Sequence, residues 1–195
     1  MNHLEIEFKT MLTKDEFNRL KAQFSHVAPV TQTNYYFDTE NFDMKAHRMS
    51  LRIRTISNAA ELTLKIPKDV GNWEYNIALP IDEAKEMIKT GQLPENDITK
   101  RIKDQGVDPS ALAVFGYLTT TRRECQTAIG LMALDDNQYA GIRDYELELE
   151  VLDAKKGKDD FDNFLAEQSI NFKYAKSKVA RFSATLRNQK TDKNS

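Results

Sequence analysis

The residues with most chemical promise recur at a spacing of two. In Leu4-Glu5-Ile6-Glu7-Phe8-Lys9 the charged residues Glu5, Glu7 and Lys9 alternate with apolar ones. Strand side chains alternate between faces, so these three share one face and Leu4, Ile6 and Phe8 the other. Adjacent carboxylates repel unless a cation sits between them, and a lysine beside them suits an anion. Arg52 and Arg54 repeat the spacing against Met49, Leu51 and Ile53. Lys65 lies opposite Leu62 and Leu64, and Glu74 opposite Tyr75, Ile77 and Leu79. Later come Arg122, Asp135, Glu146-x-Glu148 and Lys178. Glu and Lys are ordinary on one solvated strand face. Repetition from strand to strand, with acids early and late and bases in the middle and at the end, is not. Clustered carboxylates suit Mg2+ or Mn2+, which take oxygen ligands. Arg and Lys suit phosphate oxygens. Metal and phosphates together are the apparatus of phosphoryl transfer.

Other chemistries find little support. His3, His26 and His47 lack a paired metal-ligand spacing, and there is no Gly-rich phosphate loop or Ser nucleophile elbow. Trp73 and the aromatic strand at 34–37 read as core, because no basic residues interleave with them to make a base-stacking platform. The run Lys155-Lys156-Gly157-Lys158 reads as a solvated turn. A net charge of -2 gives no global basic field, so no nucleic acid is expected. The single Cys125 excludes an intramolecular disulfide and fits a reducing compartment. The start carries no signal-peptide pattern and no apolar run spans a bilayer. The expectation is a cytoplasmic protein without membrane association, monomeric or a homodimer.

The chain has 195 residues, 40% apolar and 30% charged, enough for a packed domain. Thr13 with Glu16 three residues later is a capping box, opening a helix whose Phe17, Leu20 and Phe24 share a face. Strands are expected over 31–39, 48–56, 61–65, 73–79, 117–127, 131–136 and 145–151, besides the first. Helices are expected over 82–89, 94–105, 109–115 and 159–168, with a terminal one from Ser177. Residues 137–141 read as loop. About eight strands, mostly antiparallel, can close into a barrel. The apolar stripes of the helices need a sheet face to cover. A small filled barrel would turn the apolar faces inward; the helices support the second option, in which the charged faces line a tunnel. The expected fold class is α+β: an eight-stranded antiparallel β-barrel, or tunnel, with a charged interior and helices packed outside. Residues 1–187 form one domain and 188–195 a disordered tail.

Taken in order, these segments resemble the CYTH superfamily, the triphosphate tunnel metalloenzymes, and within it the small bacterial YjbK-type proteins. Glu5-x-Glu7-x-Lys9 is similar to the N-terminal signature, and Arg52-x-Arg54, Lys65, Glu74, Thr120-Thr121-Arg122, Asp135, Glu146-x-Glu148 and Lys178 follow. Three registers stay open: Arg122 or Arg123, Asp135 or Asp136, Lys178 or Lys176. The resemblance implies a triphosphate held by Lys9, Arg52, Arg54, Lys65, Arg122 and Lys178. It implies Mg2+ or Mn2+ held by Glu5, Glu7, Glu74, Asp135, Glu146 and Glu148, with Lys9, Lys65, Glu146 and Glu148 as the catalytic set. The implied activity is metal-dependent hydrolysis of inorganic triphosphate, with ATP or thiamine triphosphate as other substrates. The alternatives are a class IV-type adenylate cyclase, a thiamine or nucleoside triphosphatase, and a non-catalytic polyphosphate- or nucleotide-binding module.

Overall fold

The structure is a computed structural model that describes residues 2–193. Eight strands form one closed antiparallel barrel in the order β1-β5-β4-β3-β2-β6-β7-β8. They are β1 (His3–Leu12), β2 (Val30–Asp38), β3 (Ser50–Ile56), β4 (Ala59–Pro67), β5 (Asn72–Pro80), β6 (Ala113–Gln126), β7 (Leu131–Tyr139) and β8 (Ile142–Val151). The helices are α1 (Lys14–Gln23), α2 (Asp43–Ala46), α3 (Ile81–Thr90), α4 (Asp97–Asp104), α5 (Ala154–Glu167) and α6 (Lys178–Lys193). Helix α6 takes in most of the segment expected as a tail, and residues 194–195 of that segment lie outside the described residues. Among the described residues no helix is long and apolar enough to cross a membrane.

The chain divides into two compact units, residues 1–4 with 32–117, and residues 5–31 with 118–195. In the first unit, β2 to β5 pair in sequence order. One face presents Phe37, Leu51, Ile53, Leu62 and Leu64, covered by Ala84 and Met87 of α3 and Ile98 and Ile102 of α4. The other face carries Asn34 beside Arg54, Tyr36 beside Arg52, and Lys65 beside Glu74. In the second unit, β8 lies between β1 and β7, and β6 follows β7. Its apolar face holds Met132, Leu134, Leu147 and Leu149, covered by Phe17 and Leu20 of α1 and Phe161 and Leu165 of α5. In both units the helices named here take the apolar face, whereas α6 meets the charged face of the second unit through Lys178 and Arg181.

Local chemistry explains most element boundaries. Thr13 accepts from the Glu16 amide at 3.2 Å, and the Glu16 carboxylate accepts from the Thr13 amide at 2.7 Å. This is the expected capping box. Gly91 ends α3 at φ +74, a left-handed conformation open to glycine. Three expectations change. The helix over 109–115 shrinks to a 3-10 turn at Pro109–Ala111 capped by Asp108, and β6 begins at Ala113. There Phe115 packs near Tyr36 and Tyr117 near Tyr35, so aromatic strand packing overrides the local helix pattern. The loop over 137–141 becomes strand up to Tyr139 and a two-residue turn, Ala140-Gly141, with both residues at positive φ. Such turns match strand twist. The lysine run at 155–158 belongs to α5, which Asp153 caps by accepting from the Lys156 amide at 2.7 Å. Its charges pair along the helix, Lys156 with Asp160 and Lys158 with Asp162.

Gly157 in that run is where α5 crosses β8. A Cβ there would stand 2.5 Å from Val151 Cγ2 and 2.8 Å from Val151 Cβ. Only a residue without a side chain lets the helix seat so closely. Gly157→Val is expected to destabilise the protein by about 1–3 kcal/mol through overpacking. Urea unfolding would measure it, and Val151→Ala in the same chain should recover part of the loss.

Candidate functional site

The charged face of the second unit is ordered by strand register. One row across the sheet reads Met11, Glu146, Asp135, Arg122. The next reads Lys9, Glu148, Ala133, Glu124. Ala133 is the small member, and the Arg122 guanidinium reaches Glu148 beside it. Asp135 and Glu146 have 0% exposure, and Glu148 is buried. One oxygen from each of Asp135, Glu146 and Glu148 lies within 4.8 Å of the others.

Buried carboxylates at this separation need positive partners, and this face supplies them. Arg122 grips Asp135 with two parallel hydrogen bonds, Nε to Oδ1 at 2.8 Å and Nη2 to Oδ2 at 2.6 Å, and also contacts Glu124 at 3.2 Å. The Lys178 ammonium lies 2.8 Å from Asp135 and 2.6 Å from Glu148 and also pairs with Glu146. Burial works against each charge, but the opposite charges prevail. Lys178 and Arg122, with Lys9, hold the Glu148 carboxyl well below its ordinary range. Asp135 and the two glutamates hold the Lys178 ammonium well above its own. Lys9 pairs with Glu7 at 2.7 Å, and its pKa is raised against the cost of burial by Glu7 and then Glu148. The expected separation of acids from bases therefore does not hold in this unit. Cations interleave with acids because desolvated carboxylates are costly unless paired.

Sequence reasoning left three registers open, and the geometry distinguishes the members of each. Arg122 is on the charged face, whereas Arg123 donates to the Val27 carbonyl at 2.6 Å. Asp135 joins the carboxylate cluster, whereas Asp136 is gripped by Arg143 at 2.6 and 2.8 Å. Lys178 meets the acids, whereas Lys176 offers its carbonyl to Arg181. Arg181 escaped sequence reasoning. It lies one turn beyond Lys178, 2.9 Å from Glu146 and 3.1 Å from Asp144. Its i, i+3 spacing from Lys178 on a helix was the available signal. Behind Glu146, Asn137 donates to Glu146 at 3.3 Å and to Asp144 at 3.1 Å, and Thr120 donates to Asn137 at 2.7 Å.

The first unit carries the other basic residues. Lys65 pairs with Glu74 at 3.1 Å. Burial would raise the Glu74 pKa, but Lys65 and Arg52 bring it down to about 2. Arg54 donates from Nε to Asn34 Oδ1 at 3.0 Å. Among the described residues Glu5, Glu7 and Glu74 do not join the three-carboxylate group. The donor set of that group, carboxylate oxygens alone, fits a hard divalent cation such as Mg2+ or Mn2+.

Comparison with known proteins identifies the family. The CYTH domain family model matches residues 3–183. YjbK of Bacillus subtilis (strain 168), provisionally named a triphosphatase, is 36% identical over 181 residues, covering 92% of this chain and 94% of that protein. A crystal structure from Bacillus halodurans, of a protein provisionally named an adenylate cyclase, superposes with a TM-score of 0.88 at 33% identity, covering 93% of this chain and 98% of the other. HpAC1 from Hippeastrum, provisionally named an adenylyl cyclase but with a dominant triphosphatase activity, has a TM-score of 0.80 at 25% identity, covering 93% and 96%.

Lys178 is the main counter-charge of the carboxylate cluster. Lys178→Met is expected to lower metal-free stability by about 3 kcal/mol, since removing one partner leaves buried charge uncompensated. Thermal unfolding in EDTA would show the loss. Adding Mg2+ should raise the midpoint more in the variant than in the wild type.

Proposed function

The chain belongs to the CYTH family, and we propose that it is a divalent-metal-dependent triphosphatase whose preferred substrate is inorganic triphosphate. The observation that carries this reading is the buried set of Asp135, Glu146 and Glu148 laced by Arg122 and Lys178. A pure anion binder gains nothing from buried carboxylates unless metal is present. The triphosphatase activity of HpAC1 and the name of YjbK support the same choice.

In this reading Asp135, Glu146 and Glu148 would hold Mg2+ or Mn2+, which supplies Lewis acidity toward phosphoryl oxygens when bound. Glu5 and Glu7 on β1 would supply carboxylates for a second ion. Lys9, Arg52, Arg54, Lys65, Arg122 and Lys178 bind phosphoryl oxygens, with Glu74 keeping Lys65 in place. Lys9 and Lys65 count as catalytic because they neutralise charge on the phosphoryl groups as the reaction proceeds. Glu146 and Glu148 count as catalytic because they would hold the metal. Water adds to a terminal phosphorus, the bridging P–O bond breaks, its electron pair leaves with diphosphate, and one proton of the water is released to solvent. The products are phosphate and diphosphate. These side chains are charged groups matched to phosphoryl oxygens and metal, which favours the inorganic substrate over ATP or thiamine triphosphate.

The test is phosphate release from inorganic triphosphate, ATP and thiamine triphosphate with Mg2+ or Mn2+ and then with EDTA, following cyclic AMP in the ATP sample. Release that favours inorganic triphosphate and stops in EDTA is expected. Cyclic AMP and diphosphate from ATP would instead make the protein a cyclase, and stabilisation by triphosphate without turnover would make it a binding module. Glu146→Gln should lower kcat by about 100-fold or more, the scale of losing a charge-stabilising group from an active site. Arg54→Ala should raise KM by about tenfold or more, as expected for one charge-assisted hydrogen bond.

A further inference from the structure

Buried polar groups in folded proteins are almost always hydrogen-bonded, and each exception calls for an explanation. Asn34 on β2 is such an exception. Its residue exposure is 0%, and its Nδ2 has no hydrogen-bond partner. The amide orientation follows from its neighbour. Arg54 Nε can only donate, and it meets the Asn34 side chain at 3.0 Å, so the contacted atom is the oxygen. The free end is therefore the NH2 group. Asn34 stands directly across from Arg54 in the β2–β3 register, and Arg52 stands one row along, across from Tyr36. The alternating Tyr35 and Phe37 belong to the opposite, helix-covered face. Arg52 Nε is a second buried donor without a partner on this same face.

Unsatisfied N–H groups beside arginines form a receptor for oxyanions, and an amide adds directed donors without adding charge. We propose that Asn34 is a further substrate-binding residue, which donates from Nδ2 to a phosphoryl oxygen while its Oδ1 fixes the Arg54 guanidinium. This assignment rests on the triphosphatase reading and adds a neutral donor to its basic ligands. It explains why an amide, and not a carboxylate, faces Arg54. Aspartate would hold Arg54 equally well but would turn a negative oxygen towards the substrate.

Steady-state hydrolysis of inorganic triphosphate in Mg2+ tests the proposal with Asn34→Ala and Asn34→Asp. Both variants should lose about tenfold or more in kcat/KM, chiefly through KM, as expected for a lost hydrogen bond to a charged group. Asn34→Asp is near-isosteric and keeps the acceptor for Arg54, so its ligand-free unfolding midpoint should stay close to wild type. Wild-type kcat/KM in Asn34→Asp would mean that Asn34 only orients Arg54, and would overturn the proposal. Unchanged kinetics in Asn34→Ala would overturn it too. A wild-type protein that hydrolyses no triphosphate would instead remove the parent reading, and this assignment with it. Active wild type with unaffected variants removes this assignment alone.

Discussion

Asp135 and Glu146 are carboxylates with no solvent exposure on neighbouring strands, and most of the second unit answers to that fact. Desolvating one carboxylate costs several kcal/mol, and placing two side by side adds repulsion. The arrangement survives because Arg122 comes from β6 and Lys178 and Arg181 from α6 to meet them. Helix α6 is thus fastened to the sheet largely by charge on this face. The bidentate geometry of Arg122 on Asp135 also fixes the direction of that carboxylate. Positional accuracy of this kind is what phosphoryl transfer demands, because its catalysis is mainly positioning and charge neutralisation.

Strict alternation makes the two-faced strands legible in the sequence. Leu147 and Leu149 between Glu146 and Glu148 leave only one consistent burial, once helices with apolar stripes are present to cover them. The capping box at Thr13 and Glu16 was legible because its partners are three residues apart in the chain. Registers were harder. Arg122 and Arg123 are adjacent, and so are Asp135 and Asp136, so alternation assigns each pair to opposite faces without saying which is which. Cross-strand pairing decides it, and pairing is a non-local property.

Other features were hidden for physical reasons. Asn34 is neutral and sits among Tyr and Phe, so a search for charge passes over it. Its importance shows only in the unpaired donor. The lysine run at 155–158 looks like a turn because glycine usually breaks helices. Here glycine is required by close approach to Val151, and i, i+4 ion pairs support the surrounding helix. Local propensity lost to tertiary contact at 109–115 as well, where Phe115 and Tyr117 joined a sheet.

Relatives of this chain carry both cyclase and triphosphatase names, so the fold does not choose the reaction. The choice falls to what the site can recognise beyond phosphate. On the first unit the charged face offers arginines, a lysine, a glutamate and amides, set in rows by the β2–β5 register. On the second it offers carboxylates threaded by cations. These groups grip oxygen and charge, and Tyr36, the aromatic beside Arg52 on the first face, is itself buried. A cyclase must also steer a ribose hydroxyl onto the α-phosphorus, which demands grip on the nucleoside as well as on the phosphates. A hydrolase needs only the phosphates and water.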